Sequence, residues 1–378
     1  MSRRRRRRAG RPVPGAGDGI TAVHTRSLAL DVSRGLAILG VLGGHALIGL
    51  KGSGLIPPGS WAMTAHEFLA VGRMSAMFFL VGLFIPGAVR RRETAGRSYL
   101  RERLTFLLWV YLVWYVIQAL FEVIGSPWKN QPVEPTILVT PWVPLAHLWF
   151  LPVLALGTAV VVCTRSWERT WLLAPLVILS VLFWPVTVPV IGLDGVSNVF
   201  FVAAGAAVGR ERVARWLARP VLMTAVAILA LVVYFIGYRL GAVDTRDPFP
   251  LDFPIAVVSL VTVLFGITAL LAASSGIAAW TGPVGRILGW IGQKTLEIYC
   301  SHIIILAGLR IVLMAAGMDE PVTLFLITTI AALAAAILLA RWAPRLHLGW
   351  LFAPPARLAR WSTAPVSSGR ARRSRPAR

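Results

Sequence analysis

The chain has 378 residues, 57% of them hydrophobic and only 14% charged, with 38 Lys and Arg against 16 Asp and Glu for a formal net charge of +22. Such a balance excludes an ordinary soluble domain. Apolar runs of bilayer-spanning length recur from Leu28 to Ala340, so the expected fold class is all-α, a polytopic membrane helical bundle.

In chain order, residues 1–27 carry the run Arg3–Arg8 and read as a basic, disordered cytoplasmic tail. No aromatic or folded basic surface accompanies the run, so no nucleic-acid partner is expected. The first apolar segment is too long and too charged for a cleaved signal peptide and reads as a retained anchor. Ten spans are predicted, at 28–50, 66–88, 104–124, 145–163, 171–190, 196–209, 220–240, 253–273, 295–316 and 322–341, the sixth being short. They define one membrane domain, 28–345, followed by a basic Arg-, Pro- and Ser-rich tail at 346–378. No internal repeat is visible, which weakens an inverted-repeat transporter reading.

The cations sort by side. With the N-terminus placed in the cytoplasm, the inner segments hold 31 of the 38 Lys and Arg. The outer loops hold only Lys51, Lys129, Arg239 and Arg246, while Arg34, Arg73 and Arg310 lie within spans. This is the positive-inside distribution, and it places both termini in the cytoplasm. The basic excess thus reads as a signal of topology and of contact with anionic lipid. The bias of 35 Arg to 3 Lys points to GC-rich bacterial coding.

The first span holds Arg34 and His45, eleven residues apart. On a helix they share one face, roughly 16 Å apart along the axis. Ionisable groups inside a span are costly and mark a site facing the protein interior. The plainer alternatives are a structural hydrogen bond for His45 and, for Arg34, snorkelling or pairing with Asp31. Gly35, Gly40, Gly43 and Gly44 on the same helix leave room for a neighbouring helix or a substrate.

Further along, His66 and Arg73 read as structural. Arg101 and Arg103, where the chain enters the third span, are either inner-surface anchors or holders of phosphate. The outer loop 125–144 is proline-rich and carries Trp128 and Trp142, as an interfacial cap or a gate over a cavity would. His147 opens the fourth span near the outer surface, as part of an aromatic belt or at the mouth of a site. Tyr299 and His302 are neighbours on the ninth span, whereas Glu297 falls on another face and forms no dyad with His302. Cys163 and Cys300 read as buried small hydrophobes with no metal-ligand spacing around them.

Several of these segments, taken together, resemble the membrane-bound acyltransferase 3 family. Leu30-Asp31-Val32-Ser33-Arg34-Gly35 with His45 resembles its first helix, with Arg, ten residues, then His. Met77-Phe78-Phe79-Leu80-Val81-Gly82 resembles its second-span pattern, and Arg101-Glu102-Arg103 its Arg-x-Arg. His147-Leu148-Trp149-Phe150-Leu151 matches its His-Leu-Trp-Phe-Leu, and Ile291-Gly292 through Thr295, Tyr299 and His302 its late element. Departures fall at Val81, Thr105, Phe106, Glu297 and Cys300.

The resemblance implies a multi-pass enzyme of the cell membrane. It would move an acyl group, commonly acetyl, from acyl-CoA to a hydroxyl of a carbohydrate, a glycan or a glycosylated small molecule. Acyl-CoA would be a co-substrate, with no bound cofactor and no metal. On this expectation His45 is the base and Arg34 binds or orients the donor with Arg101 and Arg103. Tyr299 and His302 position the acceptor or the acyl carbonyl, and His147 lines the outer mouth. Two other classes stay open: a secondary transporter exporting a glycan or lipid-linked substrate without covalent chemistry, and a membrane scaffold in which the polar residues only fix packing.

Overall fold

The computed structural model describes residues 27–95, 97–128, 132–184, 188–246 and 252–363. The expected basic tail at 1–26, the end of the second tail from 364 and Lys129 lie outside the described residues. Among the described residues there are fourteen α-helices and no strand. In chain order they are α1 (Leu28–Gly52), α2 (Trp61–Gly82), α3 (Ile85–Thr94), α4 (Tyr99–Gly125), α5 (Phe150–Thr164), α6 (Leu173–Leu182) and α7 (Val199–Val208). There follow α8 (Arg210–Leu217), α9 (Pro220–Arg239), α10 (Phe253–Trp280), α11 (Pro283–Gly292), α12 (Thr295–Ala315), α13 (Pro321–Trp342) and α14 (Ala356–Thr363).

Each of the ten predicted apolar segments contains an α-helix, but they are not alike. Seven helices, those starting at Leu28, Trp61, Tyr99, Pro220, Phe253, Thr295 and Pro321, are long and apolar enough to cross a bilayer. Helices α5, α6 and α7 have only 15, 10 and 10 residues. At about 1.5 Å per residue none of them spans a hydrocarbon layer of about 30 Å. Irregular backbone at membrane depth is tolerated where protein covers it, and α7 has that cover: Phe201, Val202 and Ala203 are fully buried. The chain is a multi-pass membrane protein built of long helices around a short-helix insert.

Helix limits follow local chemistry. Ser60, Ser98 and Asp252 each accept a backbone N–H at the start of α2, α4 and α10, which satisfies one of the unpaired donors of a first turn. The Glu320 carboxylate accepts from the N–H groups of Val322 and Thr323 at the head of α13. Hydrogen bonds to Thr323 hold that carboxyl below its usual range. Pro86 has no N–H to give Gly82, so the second predicted span breaks at Leu83-Phe84 and continues as α3.

Helix α1 is central, packed by α2, α10, α11, α12 and α13. Its approach to α11 is close because both sides lack a side chain at the crossing. A Cβ on Gly35 would collide with the Leu288 carbonyl, and one on Gly292 with the Asp31 carbonyl. The outer faces of α9 and α13, with Ile228, Leu229 and Ile330, are exposed and apolar, as lipid contact requires.

Two expectations are corrected. The segment from 346, expected as a tail, folds back along α4. The indole N–H groups of Trp109 and Trp114 donate to the carbonyls of Trp350 and Leu351, at 2.7 and 2.8 Å. These donors need acceptors inside an apolar layer and take them from the returning chain. Cys300 is buried, but Cys163 is exposed on α5.

Gly292→Val forces backbone apart at the α1–α11 crossing and is expected to destabilise by about 1–3 kcal/mol. Gly308→Ala, on α12 with nothing within 4 Å of the added methyl, is expected to gain about 0.5 kcal/mol. Denaturant titration in mixed micelles checks both, and a Gly292→Val protein as stable as the parent contradicts this packing.

Candidate active site

Three histidines from distant parts of the chain converge in the bundle. His45 comes from α1, His302 from α12, and His147 from the turn before α5. The ring centroids of His45 and His302 lie 5.1 Å apart, those of His147 and His302 4.8 Å, and those of His45 and His147 6.0 Å. His302 is fully buried and His147 is 2% exposed, while His45 is half-buried.

Their acceptors decide where the ring protons sit, because a carbonyl can only accept. His302 Nδ1–H donates to the carbonyls of Ile298 and Tyr299 at 2.9 and 2.8 Å. Its Nε2 then carries a lone pair, directed at His45 Nδ1 3.2 Å away. His45 Nδ1–H is shared between that lone pair and the Val41 carbonyl at 2.9 Å. Both rings therefore take the Nδ1–H tautomer, and the free lone pair of the pair is on His45 Nε2.

His147 is different. Neither of its ring nitrogens has a hydrogen-bond partner among the described residues. A buried polar group in that state lacks stabilisation that a bound molecule could supply. The Tyr299 hydroxyl donates to the His147 backbone carbonyl, so α12 fixes the turn as well as presenting His302. The expected position of His147 at an outer mouth is corrected: it is enclosed within the cluster.

Arg73, read from the sequence as structural, reaches the same place. From α2 its Nη1 donates to the Gly40 carbonyl at 2.9 Å, and its guanidinium fills the space a Gly44 side chain would occupy. Gly44 is the residue before His45, so this guanidinium packs against α1 beside the cluster. It also floors an apolar crevice of about 440 Å³ between α1, α2, α9 and α10. His66 is buried on α2 with Nδ1 unpartnered.

Arg34 stands at the other end of the α1 face. Its guanidinium lies over the Phe84 ring at 4.2 Å and 3.7 Å from the Asp31 carboxylate. Together with Arg103, Gln293, Glu297, Phe150 and Tyr299 it lines a crevice of about 280 Å³. Tyr299, which lines this crevice, also packs its ring against His147, with centroids 4.8 Å apart. Arg101 is corrected: its Nε donates to the Ser362 carbonyl at 2.9 Å, and its guanidinium lies over Trp361. Residues two apart on a helix do not share a face, so only Arg103 of the pair joins Arg34.

The turn carrying His147 is held from outside by residues that sequence reading passed over. Arg246 donates to both oxygens of Asp194, at 3.0 and 2.7 Å, and its guanidinium lies over Trp149 at 4.7 Å. Asn198 ties in behind it, donating to Thr245 Oγ1 at 2.9 Å and accepting from Ser75 Oγ at 2.8 Å. Ala146 takes φ +43° to place His147, a left-handed conformation that costs an alanine about 1 kcal/mol. The one available signal was that Arg246 is among the four cations of the outer loops. Among the described residues no group of His, Cys, Asp and Glu has an arrangement able to hold a metal ion.

A double-mutant cycle on Asp194→Ala and Arg246→Ala is expected to give a coupling of about 2 kcal/mol in unfolding free energy. Additive losses would show that the two residues do not act as one clamp.

A family model described as an acyltransferase domain matches residues 27–341. No curated protein and no solved structure matches the chain. The match starts at the residue before α1, ends inside α13, and takes in all three histidines, Arg34, Arg73 and Arg103. More than four fifths of the chain is covered, and the chain belongs to the acyltransferase 3 family.

Proposed function

We propose that this protein is an O-acyltransferase of the cell membrane that transfers an acyl group, most simply acetyl, from acyl-CoA to a hydroxyl of a carbohydrate or a glycosylated small molecule. The observation that carries this reading is the 3.2 Å contact of His302 Nε2 with His45 Nδ1, with backbone carbonyls beside both Nδ1 atoms, an arrangement that fits paired Nδ1–H tautomers. It leaves His45 Nε2 as a free base on the half-exposed member of the cluster.

His45 Nε2 takes the proton of the acceptor hydroxyl as its oxygen attacks the thioester carbonyl carbon. The charge that develops on the imidazole is shared with His302, whose Nε2 accepts from His45 Nδ1–H. Negative charge forms on the carbonyl oxygen, and the unpartnered N–H of His147 with the nearby Arg73 guanidinium is available to meet it. The C–S bond then breaks, and the departing thiolate takes the proton from His45 to give free CoA and the ester. Positive charge and a donor at the oxyanion need no metal in this scheme.

The donor approaches through the crevice of Arg34 and Arg103 on the side where 31 of the 38 cations lie, which we take as the cytoplasm. About 16 Å of α1 separates Arg34 from His45, a span suited to an extended thioester arm. With that orientation both termini are cytoplasmic and the acceptor reaches His45 from the outer half of the bundle.

His45→Ala is expected to lower acyl transfer by about 10²–10⁴-fold, and Arg73→Gln by about 10²–10³-fold. The assay is mass spectrometry of glycans and metabolites from cells carrying each variant at equal membrane abundance, scoring the mass gain of one acyl group. If His45→Ala and Arg34→Ala both retain full activity, the mechanism fails. Substrate efflux with no covalent product would instead favour an exporter.

A further inference from the structure

A second polar cavity lies where α2 and α3 meet α7 and α8, outside the crevice already described. Pro86 breaks the helix between α2 and α3, and Gly209, at φ +76°, turns the chain sharply between α7 and α8. The backbone N–H of Arg210 donates to the Leu83 carbonyl at 3.0 Å, which locks the two corners together. Between them opens a cleft of about 270 Å³.

Arg90 and Arg91 on α3 face Arg210, Arg212 and Arg215 on α8 across this cleft, and Trp167 forms a side wall. One carboxylate, Glu211, also lines it. Nearby arginines are neutralised locally: Arg92 pairs with Glu102, and Arg165 with Glu93 and Glu168. Among the described residues Arg90, Arg91, Arg212 and Arg215 have no such ion pair. Like charges gathered around a concave surface repel unless an anion sits between them. Positive-inside anchoring needs cations at the surface, but it does not need a walled cleft with an indole beside it.

Phe84 links this cleft to the crevice of the candidate active site. It lines the cleft, and its ring lies 5.6 Å from the Arg210 guanidinium and 4.2 Å from that of Arg34. A ligand with clustered phosphates in the cleft could therefore send a slim, uncharged arm past Phe84 toward Arg103 and Tyr299.

We infer that this cleft binds the phosphorylated adenosine end of the acyl-CoA donor, with the arginines of α3 and α8 holding its phosphates and Trp167 stacking on the adenine. The inference rests on the acyltransferase reading above and assigns the donor's head group to residues beyond Arg34, Arg101 and Arg103. Guanidinium groups suit this ligand because they form paired hydrogen bonds to phosphate oxygens, and an indole face stacks on a purine.

The test is calorimetric titration of CoA into the full-length protein in nanodiscs of zwitterionic phosphatidylcholine. The expected result is that Arg91→Gln/Arg215→Gln weakens CoA about 100-fold, near tenfold for each charge-assisted contact. Trp167→Ala is expected to weaken it about tenfold, and Arg91→Lys/Arg215→Lys to recover part of the loss, which separates charge from misfolding. Dephospho-CoA should bind the parent less tightly than CoA and lose less in the double variant.

Unchanged CoA affinity in the variants, with weakened retention on phosphatidylglycerol vesicles, would make the cleft a lipid headgroup site and overturn the inference alone. A parent protein that binds no CoA would overturn the donor assignment and this inference with it.

Discussion

One contact organises the centre of this molecule: the hydrogen bond between His45 and His302, joining helices whose residues lie 257 positions apart in sequence. A polar ring within apolar packing must find a partner inside the protein, and each of these rings finds one in the other. The bond fixes the rotation of α12 against α1. Tyr299, three residues before His302, then reaches the His147 carbonyl, so the short turn before α5 is pulled into the same place. The Arg246–Asp194 pair closes that turn from the opposite side, with Trp149 beneath the guanidinium.

From this centre the α1 face explains the rest of the site. Arg34 and His45 stand on one helix at a fixed separation, and the crevice beside Arg34 is lined by Phe150 and by Tyr299, whose ring packs against His147. Glycines at the α1–α11 crossing allow the backbone contact that walls the crevice with Gln293 and Glu297. Arg73 then fills the remaining gap beside Gly44. The polar residues of the apolar helices thus stand in two neighbouring groups, Arg34 with Arg103 and His45 with His302 and His147, with Tyr299 touching both.

Much of this was legible in the sequence, and the failures have physical causes. Helical membrane architecture follows from apolar length, which is a local property. His45, His147 and His302 stood out singly because ionisable groups in such segments are few, and Tyr299 stood out as the neighbour of His302 on its helix. Their convergence was not legible, since periodicity places residues on a face but does not say which helices meet. Arg73 was set aside for that reason: nothing local tells a packing arginine from one beside a reactive cluster. The split of Arg101 from Arg103 could have been read, because a step of two residues turns a helix by more than half a circle. The short helices α5, α6 and α7 were overestimated because apolar composition continues past the helix ends into turns. The return of residues 349–363 along α4 was hidden by their Arg- and Pro-rich composition, and the indole donors of Trp109 and Trp114 together with Arg101 show what holds them.

The central claim is the protonation pattern that leaves His45 Nε2 as the base. Solid-state nuclear magnetic resonance of the nanodisc-embedded protein with isotope-labelled histidine reads it directly from the ring nitrogen shifts. The account predicts Nδ1–H tautomers for both His45 and His302, with a coupling across the His302 Nε2 to His45 Nδ1 hydrogen bond. An Nε2–H tautomer at His45, leaving no lone pair toward the open side of the cluster, would contradict it.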